Sequence, residues 1–198
     1  MAQEAIRYAR EHRKPICICW IDLANAFGSV PHNLVQFSME WFAVPRRFRN
    51  LIFNYYKSIY AFVEGPNWNS DWFWISTGVP QGCTASTIIF DMVFQLLLDI
   101  HKSFVPNISF KMPRADISIF NPTYADDVAL LSDTPEQNQL AMEAFQKAWM
   151  WSQSFKLKIP KCRSFAAKLF NDSESLYTKS ETYRYSSFDP LLSCDEKK

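Results

Sequence analysis

The sequence predicts an α+β fold in which an antiparallel sheet packs on helices. Hydrophobic residues make up 48% of the 198 residues and aromatic residues 16%, enough for a substantial core, and this composition excludes an intrinsically disordered chain. Apolar runs of strand length alternate with longer segments of helical period. With insertions set aside, these elements follow one another as β-α-β-β-α-β, the split βαβ or ferredoxin-like arrangement.

The first half of the chain predicts a helix over Ala2–Arg13 and then a strand over Ile16–Asp22. The strand segment is an almost unbroken apolar run, which is typical of a strand buried on both faces. Two helices and a hairpin follow, with predicted bounds His32–Ala43 and Pro45–Tyr60 for the helices and Ala61–Glu64 with Trp72–Ser76 for the hairpin.

A strongly apolar helix is predicted over Thr84–Lys102. Asp91, Gln95 and Asp99 lie four residues apart and form a polar stripe on one side, so the other side is expected to pack under the sheet. The apolar run Ile88–Ile100 is interrupted and shorter than the roughly 20 residues that span a bilayer, so no membrane is expected as a partner.

The second half predicts two strands joined by a short acidic turn, then a helix and a last strand. Thr134 is the predicted N-cap of that helix, and Pro135 occupies its first turn. The predicted bounds are Ala115–Tyr124 and Val128–Ser132 for the two strands, Pro135–Ser154 for the helix and Arg163–Leu169 for the last strand.

Two adjacent carboxylates, Asp126 and Asp127, lie in the acidic turn, directly after Tyr124 and Ala125. Successive strand residues point to opposite faces, so neighbouring aspartates serve one site only at a tight turn. Like charges held close repel each other, and a bound cation relieves that repulsion. The pair therefore indicates a divalent metal site at a hairpin tip, and the alternative is an ordinary polar turn.

A third carboxylate, Asp22, ends the buried strand, where a charge needs a partner or a metal ion. If this strand lies beside the hairpin, Asp22, Asp126 and Asp127 converge. Three carboxylates suit Mg²⁺, a hard ion that prefers oxygen ligands. The alternative for Asp22 is a helix cap or a salt bridge to a nearby arginine or lysine.

Half of the four glycines fall within one five-residue segment, at Gly78 and Gly82. Glycine lets the backbone approach a ligand closely or adopt positive φ, and Pro80 stiffens the same loop. Hydroxyl groups in Thr84–Ser86 are predicted to cap the helix that follows. The alternative is an ordinary turn between a strand and a helix.

These segments together resemble three motifs of reverse transcriptases, particularly those of non-LTR retroelements. Asp22–His32 resembles the first catalytic motif, Tyr124–Asp127 the YADD motif, and Gly78–Cys83 with Ser86 the loop that positions template and nucleotide. Three motifs in the expected order form a specific signal, which covers roughly Ala5 to Lys168.

The resemblance implies a polymerase palm that acts as an RNA-directed DNA polymerase. The reaction is two-metal nucleotidyl transfer from dNTPs to a primer 3′-hydroxyl, with an RNA template and a DNA primer as partners. Asp22 and Asp126 would bridge two Mg²⁺ ions, for which Mn²⁺ is an alternative, and Asp127 would complete the acidic cluster.

The resemblance also implies a set of nucleotide- and template-binding residues. Phe27 matches the aromatic gate that excludes a 2′-hydroxyl, and its alternative role is a core residue. Segment Leu157–Ser164 resembles the fourth palm motif without its usual glycine, and Lys161 would sit near the triphosphate; the alternative is an exposed basic edge. The remaining members of the set are Gly78, Pro80, Gln81, Gly82 and Tyr124.

The palm is expected over residues 1–170, with the fingers largely missing, the thumb missing and a poorly ordered tail over residues 171–198. Such a fragment is expected to bind Mg²⁺ weakly and to polymerise poorly or not at all. Three alternatives remain: an RNA-templated RNA polymerase, a non-catalytic remnant that binds nucleic acid or a protein partner, and, more remotely, a cyclase-like palm.

Charge and cysteine content add weak constraints. The net charge of +1 is a poor overall signature of nucleic-acid binding. Five cysteines without paired ligand spacing, and a polar start without a leader peptide, predict an intracellular, reducing setting. Three local basic clusters are candidates for phosphate contacts: Arg7, Arg10, Arg13 and Lys14; Arg46, Arg47 and Arg49; and Lys156, Lys158, Lys161 and Arg163.

Overall fold

The structure is a computed structural model that describes residues 1–112, 116–152, 155–158 and 161–167. The helices in these ranges are α1 (Ala2–Glu11), α2 (His32–Trp41), α3 (Arg46–Lys57), α4 (Thr84–Phe104) and α5 (Pro135–Ser152), with a short 3₁₀ helix at Phe27–Ser29. The strands are β1 (Ile16–Ile21), β2 (Leu23–Ala24), β3 (Tyr60–Ala61), β4 (Glu64–Gly65), β5 (Trp68–Asn69), β6 (Phe73–Trp74), β7 (Phe110–Met112), β8 (Ile117–Ile119), β9 (Thr123–Tyr124), β10 (Asp127–Ser132), β11 (Lys156–Leu157) and β12 (Arg163–Ala167).

The central sheet has four strands in the order β12-β1-β10-β9, and each neighbouring pair is antiparallel. Along the chain, α4 lies between β1 and β9, and α5 lies between β10 and β12. Cys19, in the middle of β1, pairs with Leu130 on one side and Ser164 on the other. The predicted α+β class, an antiparallel sheet packed on helices, is confirmed.

Both faces of the sheet are covered over most of its length. Cys19 and Ile21 belong to the larger core, in which α4 and α5 contribute Phe90, Leu97 and Phe145. Ile16 and Ile18 face a smaller core, formed with Ala5 and Ala9 of α1 and Phe110 of β7. The prediction of a strand buried on both faces holds for β1 except at Trp20, which is 40% exposed.

Helix α4 has the amphipathic pattern that the sequence predicts. Asp91, Gln95 and Asp99 are exposed, and the Gln95 amide donates to the Asp99 carboxylate over 2.7 Å. The helix extends to Phe104, so the run Ile88–Ile100 underestimates its length, and by length and composition alone it could cross a membrane. Half of its most apolar window is buried inside the protein, as in a core helix.

The predicted hairpin between α3 and α4 forms as two short strand pairs, one inside the other. β3 pairs with β6, and β4 pairs with β5 around a turn at Pro66 and Asn67. Proline and asparagine favour tight turns. The turn therefore falls inside the segment predicted as one long loop, and it creates a second, inner strand pair. Four large side chains here are about half exposed or more: Trp68, Trp72, Phe73 and Trp74.

The segment predicted as one strand before the acidic turn is divided. β8 and β9 are separated near Pro122, which has no N–H group for a ladder hydrogen bond. β8 pairs with β7, a strand that the sequence analysis did not predict. The segment still follows β10, because Leu131 donates to the Phe120 carbonyl over 2.7 Å. Ala115, the predicted start, lies outside the described residues.

Several helices end earlier than predicted. Arg13 and Ala43 have φ of 50° and 53°, a left-handed conformation that terminates α1 and α2 near Glu11 and Trp41.

The Thr134 hydroxyl accepts from the Gln137 N–H over 3.3 Å, which confirms the predicted cap of α5. The predicted ends of that helix and of the last strand, with the tail over residues 171–198, lie outside the described residues.

His101 is a buried titratable group between α4 and α5. It is fully buried, its Nε2 lies 2.9 Å from the Ala141 carbonyl oxygen, and its ring packs against those of Phe120, at a tilt, and Phe145, edge to face. Among the described residues its Nδ1 has no hydrogen-bond partner. Burial, and secondarily the charge of Lys102, lower the pKa of His101 to about 4, so the ring is neutral at pH 7.

Folding stability should therefore depend on pH through His101. Because its folded pKa lies below the unfolded value of 6.5, its stabilising contribution is complete above pH 6.5 and is lost as the pH falls towards 4. His101→Gln keeps a donor for Ala141 and removes the titration. Urea unfolding at pH 7 and 4.5 should show the parent losing roughly 2 kcal/mol more than this variant. Equal losses would contradict the assignment.

Candidate active site

The hairpin between β9 and β10 carries the adjacent aspartates at its turn. Tyr124 pairs with Asp127, which leaves Ala125 and Asp126 as a two-residue turn. Ala125 has φ of 53°, and positive φ at the first central residue alone is the pattern of a type II′ turn. A sparsely populated backbone conformation of this kind costs a residue other than glycine about 1–3 kcal/mol, and the flanking strands hold it in place. The tight turn predicted from the acidic pair is therefore present.

Asp22 lies at the same end of the sheet, one residue beyond β1. The last pair of the β1–β10 ladder joins Ile21 to Val128, so continuing this register by one position sets Asp22 across from Asp127. The Asp22 side chain is 30% exposed, Asp126 is half-buried and Asp127 is exposed. The strand pairing thus brings the backbones that carry all three predicted acids together.

The three carboxyl groups are not gathered into one cluster. Among the described residues, no three His, Cys, Asp or Glu side chains lie close enough to hold a metal ion. Carboxylates at one end of a sheet repel one another, which favours separated side chains. The donor set of three carboxylate groups nevertheless fits a hard divalent cation such as Mg²⁺. The convergence of Asp22, Asp126 and Asp127 on a metal stays a prediction.

Lys161 contacts Asp22 from the C-terminal part of the described chain. Its Nζ lies 3.6 Å from an Asp22 carboxylate oxygen, with the lysine side chain 58% exposed. The Lys158 N–H donates to the Asp22 carbonyl over 2.8 Å, and Leu157 pairs with Leu23. Lys161 thus lies beside one of the three acids, its predicted place near the triphosphate stays a prediction, and the alternative role of Asp22 in a salt bridge is present.

The glycine loop packs against the segment that follows Asp22. Gly78 and Gly82 have φ of 92° and 88°, so both need the conformational freedom predicted for them. A Cβ on Gly78 would lie 2.9 Å from the Gly28 carbonyl oxygen, whereas one on Gly82 would meet nothing within 4 Å. The loop is thus in close backbone contact at its first glycine and open at its last.

Phe27 lies between the core and the surface. Its ring stacks on that of Phe90, with centroids 4.2 Å apart and planes 11° apart, and the side chain is only partly buried. The core alternative is therefore present, and the exposed part of the ring leaves the gate prediction open. Gln81 is exposed, Pro80 is half-buried and Tyr124 is 85% exposed.

The predicted hydroxyl caps of α4 are wrong. Cys83 occupies the N-cap position and makes no side-chain cap hydrogen bond, while Thr84 lies inside the helix and Ser86 is buried there. The positive φ of Gly82 is not helical, so the helix begins after it and the cysteine takes the cap position.

Two contacts were missed by sequence reasoning: the Lys158 N–H donates to the Asp22 carbonyl, and the His32 ring bonds to the Gly78 carbonyl. His32 belongs to the first motif, which was the available signal.

A family model described as reverse transcriptase (RNA-dependent DNA polymerase) matches residues 1–188. A retrovirus-related Pol polyprotein from the type-2 retrotransposable element R2DM of Drosophila melanogaster is 26% identical over 129 residues, 65% of this chain. One from the type-1 element R2 of Nasonia vitripennis is 27% identical over 161 residues, 81% of this chain. This chain spans 12% and 15% of the lengths of these relatives.

Two solved structures share the fold. Apo telomerase from Candida tropicalis, truncated from its C-terminal domain, aligns with a TM-score of 0.62 and 11% identity over 86% of this chain and 35% of that chain. Telomerase from Candida tropicalis in complex with the TWJ fragment of telomeric RNA aligns with a TM-score of 0.60 and 10% identity, over 92% and 31%. At this identity the likeness concerns the fold alone.

The ion pair at Asp22 generates a prediction about cation binding. Lys161 is a positive charge beside a carboxylate, so Lys161→Gln should raise the affinity of the chain for Mn²⁺, measured by electron paramagnetic resonance titration. An exposed pair is worth up to about 1 kcal/mol, so the expected gain is roughly two- to fivefold.

The control variant Lys156→Gln removes a charge from the same segment without the contact to Asp22. Its effect on the free energy of Mn²⁺ binding should be less than half of the effect of Lys161→Gln. If Lys161→Gln binds Mn²⁺ more weakly than the parent, competition between the lysine and the cation is ruled out.

Proposed function

The chain belongs to the reverse transcriptase family, and we propose that it is the palm of an RNA-directed DNA polymerase of the non-LTR type. The observation that carries the proposal is the β1–β10 register, which brings Asp22 beside the turn with Asp126 and Asp127. The glycine loop, the other element that the reaction needs, is hydrogen-bonded to the segment immediately after Asp22.

The sheet supports the palm assignment for residues 1–170. Its four strands in chain order are β1, β9, β10 and β12, and their spatial order places the last strand beside the first and the second at the far edge. With α4 and α5 as the two connections, this is the arrangement expected of a split βαβ, ferredoxin-like unit. Topology alone does not imply a function, so the site residues carry the argument.

Asp22, Asp126 and Asp127 are the side chains that would hold two Mg²⁺ ions, with Mn²⁺ as an alternative. When bound, such ions activate the attacking hydroxyl and stabilise charge on the leaving group. The exposed Lys161 ammonium, beside Asp22, would neutralise the triphosphate of an incoming dNTP. The part of the Phe27 ring left exposed would face the sugar and exclude a 2′-hydroxyl.

The loop and the turn would bind the nucleic acid. Exposed Gln81 offers an amide to a template base or a nucleotide, and the backbone of Gly78, Pro80 and Gly82 would pass close to it. Tyr124, 85% exposed next to the acidic turn, would contact the primer end. The partners proposed are therefore an RNA template, a DNA primer and dNTPs. The isolated chain is expected to bind Mg²⁺ weakly and to extend primers poorly or not at all.

Primer extension tests this function in a chimera whose remaining parts come from the Nasonia relative, with residues 1–167 of this chain replacing the matching segment. The chimera should extend a DNA primer on an RNA template. Asp126→Asn should lower the rate at least about 100-fold, because even groups that only support metal ligands cost 10–100-fold.

Asp91→Asn, a change at an exposed carboxylate of α4, is the control and should extend at the parent rate. A folded chimera without extension, or Asp126→Asn at the parent rate, would instead favour a non-catalytic remnant that binds nucleic acid or a protein partner.

Nucleotide selection separates this proposal from an RNA-templated RNA polymerase. In the same chimera, Phe27→Ala should reduce the preference for dNTPs over rNTPs by roughly 10–100-fold, since a shape-selective pocket rejects an added hydroxyl by about 100-fold at most. Phe27→Tyr keeps the ring and should keep the preference. Equal use of dNTPs and rNTPs by the parent chimera would favour the RNA polymerase.

A further inference from the structure

His32, the first residue of α2, holds the glycine loop by its side chain. Its Nε2 lies 2.9 Å from the Gly78 carbonyl oxygen. A carbonyl oxygen only accepts hydrogen bonds, so Nε2 carries the proton and donates. The same ring packs against that of Tyr56 in α3, with centroids 4.4 Å apart, and Tyr56 is almost fully buried. The imidazole is thus fixed by one polar and one apolar contact.

Backbone hydrogen bonds join the same loop to the segment after Asp22. The Gly78 N–H donates to the Val30 carbonyl over 2.7 Å, and the Val79 N–H donates to the Phe27 carbonyl over 2.9 Å. The Thr77 hydroxyl also donates to the Val30 carbonyl, over 3.2 Å. The start of the loop is therefore bonded to the residue proposed as the sugar gate and to its neighbours.

The close approach at Gly78 leaves His32 as the only side chain bonded to this glycine in the part of the chain that the structure describes. Any Cβ at Gly78 would meet the backbone of Gly28, with three atoms within 3.1 Å. At Gly78 the loop therefore packs directly against the main chain of Gly28, and the Gly78 carbonyl oxygen is held by the imidazole of His32. A Cβ on Gly82 would meet nothing within 4 Å, so this close backbone approach is a feature of the first glycine of the loop.

We propose that His32 is a positioning residue that locks the glycine loop to the Phe27 segment. The loop and the gate then move as one unit, so the placement of the template base and the exclusion of a 2′-hydroxyl depend on the same set of contacts, to which the hydrogen bond of His32 contributes. This inference rests on the polymerase function proposed above. The contacts of His32 are with Gly78 and Tyr56, and it belongs to no group of three potential metal ligands among the described residues, so the role proposed here is not that of a metal ligand.

Two variants divide the contacts of His32. His32→Phe keeps a ring against Tyr56 and removes the donor to Gly78. His32→Gln keeps a donor at a reach close to that of Nε2 and removes the ring. His12→Phe is a matched control, because His12 also contacts a carbonyl and stacks on a tyrosine, at Tyr8 of α1, away from the loop.

Amide hydrogen exchange of the full chain, followed by mass spectrometry, measures how strongly His32 holds the glycine loop. His32→Phe should raise the exchange rates of the Gly78 and Val79 amides about five- to tenfold, the effect of losing one hydrogen bond. His32→Gln should stay within about twofold of the parent. The amides of β10 should exchange at the parent rate in every variant, and His12→Phe should leave the loop unchanged.

Three results would overturn the role of His32. One is unchanged loop exchange in His32→Phe, another is equal acceleration in the loop and in β10, and the third is a His32→Gln variant that exchanges as fast as His32→Phe. Exchange requires no catalysis, so these results are independent of primer extension. An inactive chimera with the expected exchange pattern would refute the polymerase function, whereas the positioning of the glycine loop by His32 would be supported.

Discussion

The antiparallel ladder between β1 and β10 is the constraint on which the rest of the site depends. Five consecutive pairs, from Cys17 with Ser132 to Ile21 with Val128, fix the register of two strands whose side chains are mostly buried. A slip of one residue would turn every buried side chain of one strand to the other face, which the two cores forbid. The positions of Asp22 and the acidic turn are therefore set by core packing several residues away.

The second level of organisation is a continuous backbone layer around Asp22. On one side, β11 pairs with β2, and the Lys158 N–H donates to the Asp22 carbonyl. On the other, the glycine loop is hydrogen-bonded to Phe27 and Val30. Segments from three distant parts of the sequence thus meet by main-chain contacts, which tolerate changes of side chain. The geometry around Asp22 therefore depends mainly on main-chain hydrogen bonds and strand pairing.

The sequence predicted the features that are encoded by residue type and local spacing. Gly78 and Gly82 adopt positive φ, Thr134 caps α5 and the acidic pair lies in a tight turn. It did not predict the ends of α1 and α2, since Arg13 and Ala43 are residue types without a preference for the left-handed conformation they adopt. The β11–β2 pair and the His32 contact were also missed, because they join residues far apart in sequence and follow only from tertiary packing.

The stack of Phe27 on Phe90 links the surface of the site to the centre of the protein. Phe90 is fully buried in α4, the same helix that begins directly after the glycine loop. The volume available at the interior position therefore determines how far the outer ring projects. If Phe27 excludes a 2′-hydroxyl as proposed, a change of volume at the interior position would alter the choice of nucleotide without any substitution at the surface, and relatives should then show paired changes at these two positions.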